Sequence, residues 1–335
     1  MTDTPVTEER RSIGAALRER FSDAVSQLAA AGALIVVFVF LSLASPAFLT
    51  ADNLFNIGSQ TAVVAVIAIG MTLVIITAGI DLSVGSVAAF SGVMGVMMIV
   101  DFGLPVPLAI LGGAFVGAGC GLVNGFLVST AGLNPFIATL GMLSVARGLV
   151  YIFSDAQAIF GTPDSFRLLG QGVLAGGIPI PVVVTLVIAV IGFIVLSRTK
   201  LGRYAYAIGS NLEAARLSGI PVRLYLTLVY VISGALAGFG GMIAASRVNS
   251  GQPNYGVGLE LDVIAAAVIG GASLFGGQGT VIGTLIGAFL IALIRNGSVL
   301  LGVDIFYQQV IIGVVIWIAV FWDQYRRKRL NASSE

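Results

Sequence analysis

The sequence predicts an all-α fold, a polytopic transmembrane helical bundle of about ten spans, and three observations carry that expectation. Hydrophobic residues make up 57% and charged residues 10% of the chain, against roughly 25% charged in soluble domains, and the mean hydropathy is +1.03. Apolar runs near the roughly 20 residues that cross a bilayer follow one another with short polar or Pro/Gly breaks. Lysine and arginine gather mainly in the N-terminal arm, the stretch 198–223 and the C-terminal tail, the asymmetry expected of a membrane protein's inside loops.

The apolar runs place spans near 29–48, 61–79, 83–100, 106–130 and 135–154, then near 180–197, 224–245, 262–275, 280–295 and 306–322. The Gly-rich stretch from Gly270 to Gly287 equally suits broken half-helices. The domain organisation read from these runs is an N-terminal arm over 1–28, a transmembrane domain over 29–322 with the 198–223 loop, and a basic tail over 323–335. The arm mixes Arg10, Arg11, Arg18 and Arg20 with Glu8, Glu9, Glu19 and Asp23. A signal-peptide n-region is short and basic, so Ala44-Ser45-Pro46-Ala47 is read as part of the mature chain rather than as a cleavage site.

Arg198, Lys200, Arg203, Arg216 and Arg223 put the 198–223 loop in the cytoplasm, with Arg326, Arg327, Lys328 and Arg329 placing the C-terminus there too. The arm joins them, as an even number of spans requires. Only Arg167, Arg247 and Arg295 fall to loops assigned outside.

Several chemistries are excluded or disfavoured. Cys120 is the only cysteine, so no internal disulfide forms, and it reads as a small packing residue. The chain has no histidine, the side chain best suited to proton relays and a common metal ligand; no metal or cofactor is expected. A P-loop needs a Gly-Lys pair around phosphate, whereas Lys200 and Lys328 follow Thr199 and Arg327. Any ATP used must therefore be handled by another chain, and no catalytic residue is assigned. A net charge of +1 predicts no nucleic-acid partner. Ion coupling calls for intramembrane carboxylates, yet Asp81 and Asp262 stand only at candidate span ends.

Within the spans, Gly112, Gly113, Gly117, Gly119, Gly121 and Gly125, with Gly234, Gly238, Gly240 and Gly241, read as helix-packing surfaces. An echo between Ala78-Gly79-Ile80-Asp81-Leu82-Ser83-Val84-Gly85-Ser86 and Gly270-Gly271-Ala272-Ser273-Leu274-Phe275-Gly276-Gly277 leaves an inverted repeat open, with a site near the repeat interface. Candidate pathway residues are Asp81, Ser83, Asn124, Asn134 and Ser273. Asp81 is a helix N-cap or a gate. Asn124 is interhelical glue or a hydroxyl-recognising group, and Asn134, before Pro135, also fits a turn. Arg147 lies in an apolar run, where an unpaired charge is costly; it pairs with a carboxylate, snorkels to an interface or touches solute.

The stretch Leu201–Pro221 contains a short helix in outline: Asn211 can cap it, and Gly219 with Pro221 can stop it. It reads either as an ordinary basic loop or as a helix lying on the cytoplasmic face and docking into a partner.

The segments YAIGSNLEAARLSGI, GIDLSVGS, NPFIATLGMLSVARGL and IAAAVIGGASLFGGQGTVIGTLIGA together resemble the ribose-type permease subunits of bacterial ABC importers, a branch distantly related to branched-chain amino-acid permeases. The resemblance runs from about Ala47 to Trp322. It implies a permease of the bacterial inner membrane that moves a monosaccharide, such as ribose, and works as a homodimer in lipid. Its implied partners are a cytoplasmic ABC ATPase and an extracytoplasmic sugar-binding protein. It also maps an ATPase-coupling loop onto Asn211, Glu213, Ala214, Ala215, Arg216 and Gly219, although the longer consensus of other importer classes is not reproduced beyond Gly219. The competing readings are an ion-coupled secondary transporter, a permease for another small solute and a channel.

Overall fold

The computed structural model describes residues 28–174 and 176–332, so the N-terminal arm expected over 1–28 lies, but for its last residue, outside the described residues. Thirteen α-helices order the rest: α1 (Leu28–Ala44), α2 (Ala51–Ile76), α3 (Val84–Val100), α4 (Val106–Ser129), α5 (Pro135–Ser154), α6 (Asp164–Gln171), α7 (Ile180–Arg198), α8 (Lys200–Ser210), α9 (Leu212–Leu217), α10 (Val222–Val248), α11 (Leu259–Ile269), α12 (Val281–Leu300) and α13 (Ile305–Ala332). Among the described residues there is no strand, and only the isolated bridges Ile159–Gly251 and Val173–Pro179 pair backbones in extended form.

Six helices, α2, α4, α5, α7, α10 and α12, are long and apolar enough to cross a membrane, and α1, α3 and Ile305–Phe321 are shorter apolar helices. Each expected span therefore falls on a helix, with instructive differences in extent. Helix α2 begins at Ala51 rather than near 61, because Asp52, Asn53, Asn56 and Gln60 are polar yet compatible with a helical turn. Helix α13 runs on to Ala332 instead of ending near 322, so the basic tail continues a helix as far as that residue.

The largest departure is α11. Its 11 residues rise about 16 Å, roughly half of the ~30 Å hydrocarbon thickness. The expected span over 262–275 is thus a half-helix with irregular chain on both sides. A hydropathy window counts apolar residues whatever backbone carries them; here Gly256, Gly258 and Gly271 adopt φ of 75°, 79° and 95° and end the helix on either side. Before α11, the segment 249–258 runs back along α3. Gly251 lies against Val93, and Gly256 lies against Gly85. After α11, the Gly277 N–H donates to the Ile76 carbonyl at 2.8 Å.

Helices α2 and α10 form the centre. Eighty-nine per cent of the apolar window of α2 is buried, but 22% of that of α4 and of α7. The outer helices turn large apolar side chains outward, among them Phe115 and Phe126 on α4 and Val187 and Ile191 on α7. A helix that is apolar on all sides is stable when its outer face meets lipid.

The closest helix pair is α4 with α10, and glycine makes it so. A methyl group on Gly117 would fall on the Gly234 carbonyl, and one on Gly121 would fall on that of Tyr230. At Gly117 and Gly121 the expected packing role is what the structure contains, backbones in direct contact, the geometry small residues permit, whereas Gly119, expected in the same surface, has open space beside it.

Candidate functional site

The bundle has two ends, one carrying α6 and one carrying α8 and α9, and its polar groups concentrate where helices break. The first break joins α2 to α3. Asp81 is 1% exposed. One carboxylate oxygen, Oδ1, accepts from the Ser83 N–H at 3.0 Å and the Ser83 hydroxyl at 2.6 Å, while Oδ2 accepts from the Ser233 hydroxyl of α10 at 3.2 Å. The Asn124 amide of α4 donates to Ser83 Oγ at 3.0 Å.

Asp81, Ser83 and Asn124 are thereby brought into one buried cluster, although Asn124 of α4 stands 41 residues from Ser83. Asp81 closes a local turn on the Ser83 N–H, but the N-cap of α3 is Ser83, which makes no side-chain cap bond, so Asp81 stands two residues too early to be the helix N-cap read for it. It also reaches α10, which sequence could not show because Ser233 is 152 residues away. Asn124 acts as interhelical glue. Among the described residues, the Asn124 Oδ1 and the Tyr230 hydroxyl are buried without a partner. Asn134 stands apart from the cluster at the start of α5, where its side chain accepts from the Phe136 N–H at 2.9 Å, the turn role read for it. Ser273 is buried in the 270–280 connection.

The second break, 249–258, is largely a run of turns that leaves carbonyls beside α5. Arg147 Nη1 donates to the carbonyls of Pro253 at 2.7 Å and Tyr255 at 2.9 Å, and the Tyr151 hydroxyl donates to Asn254 at 2.9 Å. Irregular backbone at membrane depth persists only where its polar groups are satisfied. Arg147 supplies that service, so its direct partners are carbonyls rather than the carboxylate that sequence offered as an alternative. A true ion pair lies elsewhere: Arg295 of α12 meets Asp262 of α11 at 2.7 Å, with the Asp262 side chain 6% exposed. Arg295 was expected in an outside loop. It sits inside a helix because its charge is answered by a residue 33 positions earlier, a pairing no local pattern signals. Asn53 and Asn296 similarly exchange amide hydrogen bonds at 3.2 and 2.6 Å, tying α2 to α12.

The third polar region is the α8–α9 end. The Asn211 side chain accepts from the Ala214 N–H at 3.0 Å and caps α9. The helix stops at Gly219, whose φ is 76°; there the Ile220 N–H donates to the Ala215 carbonyl at 3.1 Å. Glu213 and Arg216 pair at 2.7 Å on the exposed face. Ala215 points inward, packed with Ile208 and Val222. It is therefore a residue of the chain's own small core, and the outward surface belongs to Glu213, Ala214, Arg216 and the 88% exposed Leu217.

These regions are joined. Helix α8 lays Gly209 against the Ile76 carbonyl at the end of α2, the Tyr206 hydroxyl donates to the Gly279 carbonyl at 2.7 Å, and Ala78 touches Gly276. The two Gly-rich stretches that echo one another in sequence are thus in contact, directly behind α8.

Comparison with known proteins bears on this arrangement. Residues 53–320 match the family described as the branched-chain amino acid transport system / permease component. The chain is 42% identical to the ribose import permease protein RbsC of Bacillus subtilis over 92% of its own length and 95% of the relative's. It is 39% identical to the D-allose transport system permease protein AlsC of Escherichia coli, covering 87% and 89% of the two chains. Identity is also 39% to the L-arabinose ABC transporter permease protein AraH of Azospirillum brasilense, over 89% and 87%. No solved structure gives a significant match. A helical bundle with broken helices, matched along nearly its whole length, thus belongs to this membrane permease family, in the branch that holds the sugar ABC permeases.

Proposed function

We propose that the chain is the membrane-spanning subunit of an ATP-driven importer, that it carries a monosaccharide of the ribose, allose or arabinose kind into the cytoplasm, and that it performs no catalysis itself. The observation that carries this reading is the near-full-length similarity to three permeases named for those sugars. A separate ATPase supplies the energy, and an extracytoplasmic binding protein delivers the sugar. Two copies of the chain form the translocation unit in the inner membrane, with lipid on the outer faces of α4 and α7. The α8–α9 end faces the cytoplasm, where Arg198, Lys200, Arg203, Arg216 and Arg223 gather.

The physical logic is a two-state one. Nucleotide-driven closure of the ATPase presses on α9, and α8 relays the displacement to the end of α2 and to 270–280, which it touches. A ligand or partner shifts such an equilibrium only through a difference in affinity for the two states. An inverted repeat fits this scheme. Helix α2 packs on α11 and α12 as α10 packs on α3 and α4, while α3 packs on α4 and α5 as α11 packs on α12 and α13. The breaks at 77–83 and 249–258 then correspond, so this repeat does not pair 78–86 with 270–277 as the sequence echo suggested.

Reconstitution tests the function. Proteoliposomes holding the permease with its ATPase and binding protein should take up labelled ribose, allose or arabinose only with ATP inside. Uptake driven by an ion gradient without the ATPase would replace this reading with a secondary carrier, and ATP-independent flux would replace it with a channel.

A further inference from the structure

Asp81 carries a charge that no described side chain neutralises. Its carboxylate is buried and accepts only from neutral donors, the Ser83 N–H and hydroxyl and the Ser233 hydroxyl. The ion pairs among the described residues join Arg167 to Asp164, Arg216 to Glu213 and Arg295 to Asp262, and none reaches it. The break offers little by itself, since the start of α3 contributes about half a positive charge and the end of α2 a similar negative one. A carboxylate withdrawn from water is strongly destabilising unless it is paired, protonated or bound to a cation.

The oxygens around it point to the last of these. Ser83 and Ser233 each direct a hydroxyl hydrogen at the carboxylate, which leaves oxygen lone pairs facing the cluster, and Ser83 Oγ also accepts from the Asn124 amide at 3.0 Å. The other end of that amide, Asn124 Oδ1, is buried without a hydrogen-bond partner. Amide bond lengths keep it within about 5 Å of Ser83 Oγ. It is an acceptor only, so a second acceptor without a donor lies beside the carboxylate. Tyr230 stands one turn before Ser233 on α10. Its hydroxyl lies against Gly79 of the same break, is likewise buried without a partner, and is close enough for the charge of Asp81 to act on it.

This donor set selects a particular cation. Carboxylate, hydroxyl and amide oxygens are hard ligands, suited to ions that take oxygen rather than nitrogen or sulfur, so the lack of histidine has no bearing on them. One carboxylate balances one positive charge; a divalent ion would leave an excess charge in a low-dielectric interior. Sodium, close to calcium in radius, takes oxygens at about 2.4 Å, so ligands up to about 5 Å apart share one ion. The Asp81, Ser83 and Asn124 oxygens meet that spacing. A water molecule would serve the same hydrogen bonds and leave the charge unanswered. Breaks in membrane helices, where backbone and side-chain oxygens converge, are suited to such ions.

We propose that Asp81, Ser83, Asn124, Ser233 and Tyr230 form a binding site for a single sodium ion, which neutralises Asp81 and ties the α2–α3 break to α4 and α10. All five side chains are buried, so the ion is a resident of the fold rather than a driving ion. The site goes beyond the importer reading and stands independently of it.

Sodium alone is the probe. The full chain, purified in detergent with choline chloride, should bind one radiolabelled sodium ion per chain, displaced by unlabelled sodium and not by choline. Exchanging choline for saturating sodium at constant ionic strength should raise the melting temperature by about 3–6 °C. Asp81→Asn removes the charge together with the need for a counter-ion, so it should bind no sodium and melt alike in both salts. Tyr230→Phe deletes a hydroxyl that has no protein partner. It should fold normally while half-saturation by sodium moves about ten-fold or more upward, as loss of a supporting group does at metal sites; should Asp81→Asn not yield folded protein, this variant carries the test. A wild-type chain that binds no sodium and melts alike in sodium and choline would overturn the site and leave Asp81 neutralised by a proton. Sodium stabilisation that persists in full in both variants would put the ion elsewhere and overturn it equally.

Discussion

Asp81 pairs with groups on two helices while buried to 1%, and its role can be separated from its charge. Asparagine keeps an acceptor for the Ser83 N–H and hydroxyl and can donate to Ser233, so Asp81→Asn should retain uptake within about two- to three-fold at equal protein level, since the buried hydrogen bonds stay paired. Asp81→Leu leaves Ser83 and Ser233 without their shared partner. Each orphaned buried group costs about 1–3 kcal/mol, which should lower the melting temperature in detergent as well as uptake. A severe transport loss in Asp81→Asn with unchanged melting would make the negative charge itself functional. At this scale the sequence was readable where partners are close in number: Asp81 with Ser83, Asn134 with Phe136 and Asn211 with Ala214 lie two or three residues apart. It was unreadable for Arg147, whose carbonyl partners are 106 and 108 residues on.

Among the elements, the α4–α10 contact depends on absent side chains, and it should fail when one is supplied. Gly121→Val would drive two methyl groups into the Tyr230 backbone. Overpacking of this kind costs about 1–3 kcal/mol or more, so lower expression and a lower melting temperature are expected, whereas Gly119→Ala, with open space beside it, should be neutral. The short helix α9 gives a contrast. Leu217 is 88% exposed, and Leu217→Glu should leave folding intact while weakening co-purification of the ATPase by ten-fold or more. Gly219→Val should do so through strain, because a β-branched residue is an outlier at its φ of 76°. Normal assembly in both variants would remove α9 from the coupling surface. Since Ala215 belongs to the α9 core, enlarging it reports on folding rather than on docking. Sequence located α9 through its cap and stop residues, but only packing decides which of two adjacent alanines faces out.

For the molecule as a whole, the run of apolar segments located the long helices of the bundle, because burial in lipid demands the same composition as burial in protein. It missed α6 and α8, whose Phe166 and Ala205 are buried in the core. Depth was not legible: hydropathy does not distinguish a crossing helix from a half-helix flanked by irregular chain, as at 249–258. Orientation remains a matter of charge, and reporters should settle it. A fusion after Lys200 should read cytoplasmic and one near Gly170 external; the reverse result at both positions would invert the arrangement. The shortness of α11 carries a further consequence, for biogenesis. With 11 residues it is too brief to partition into a bilayer by itself, and it brings Asp262 with it. The partner that neutralises that acid, Arg295, lies on the next helix to be synthesised. Membrane entry at this point is therefore a joint act of α11 and α12, so a nascent chain released before Arg295 has emerged holds an unpaired acid and a segment with no stable place in the lipid.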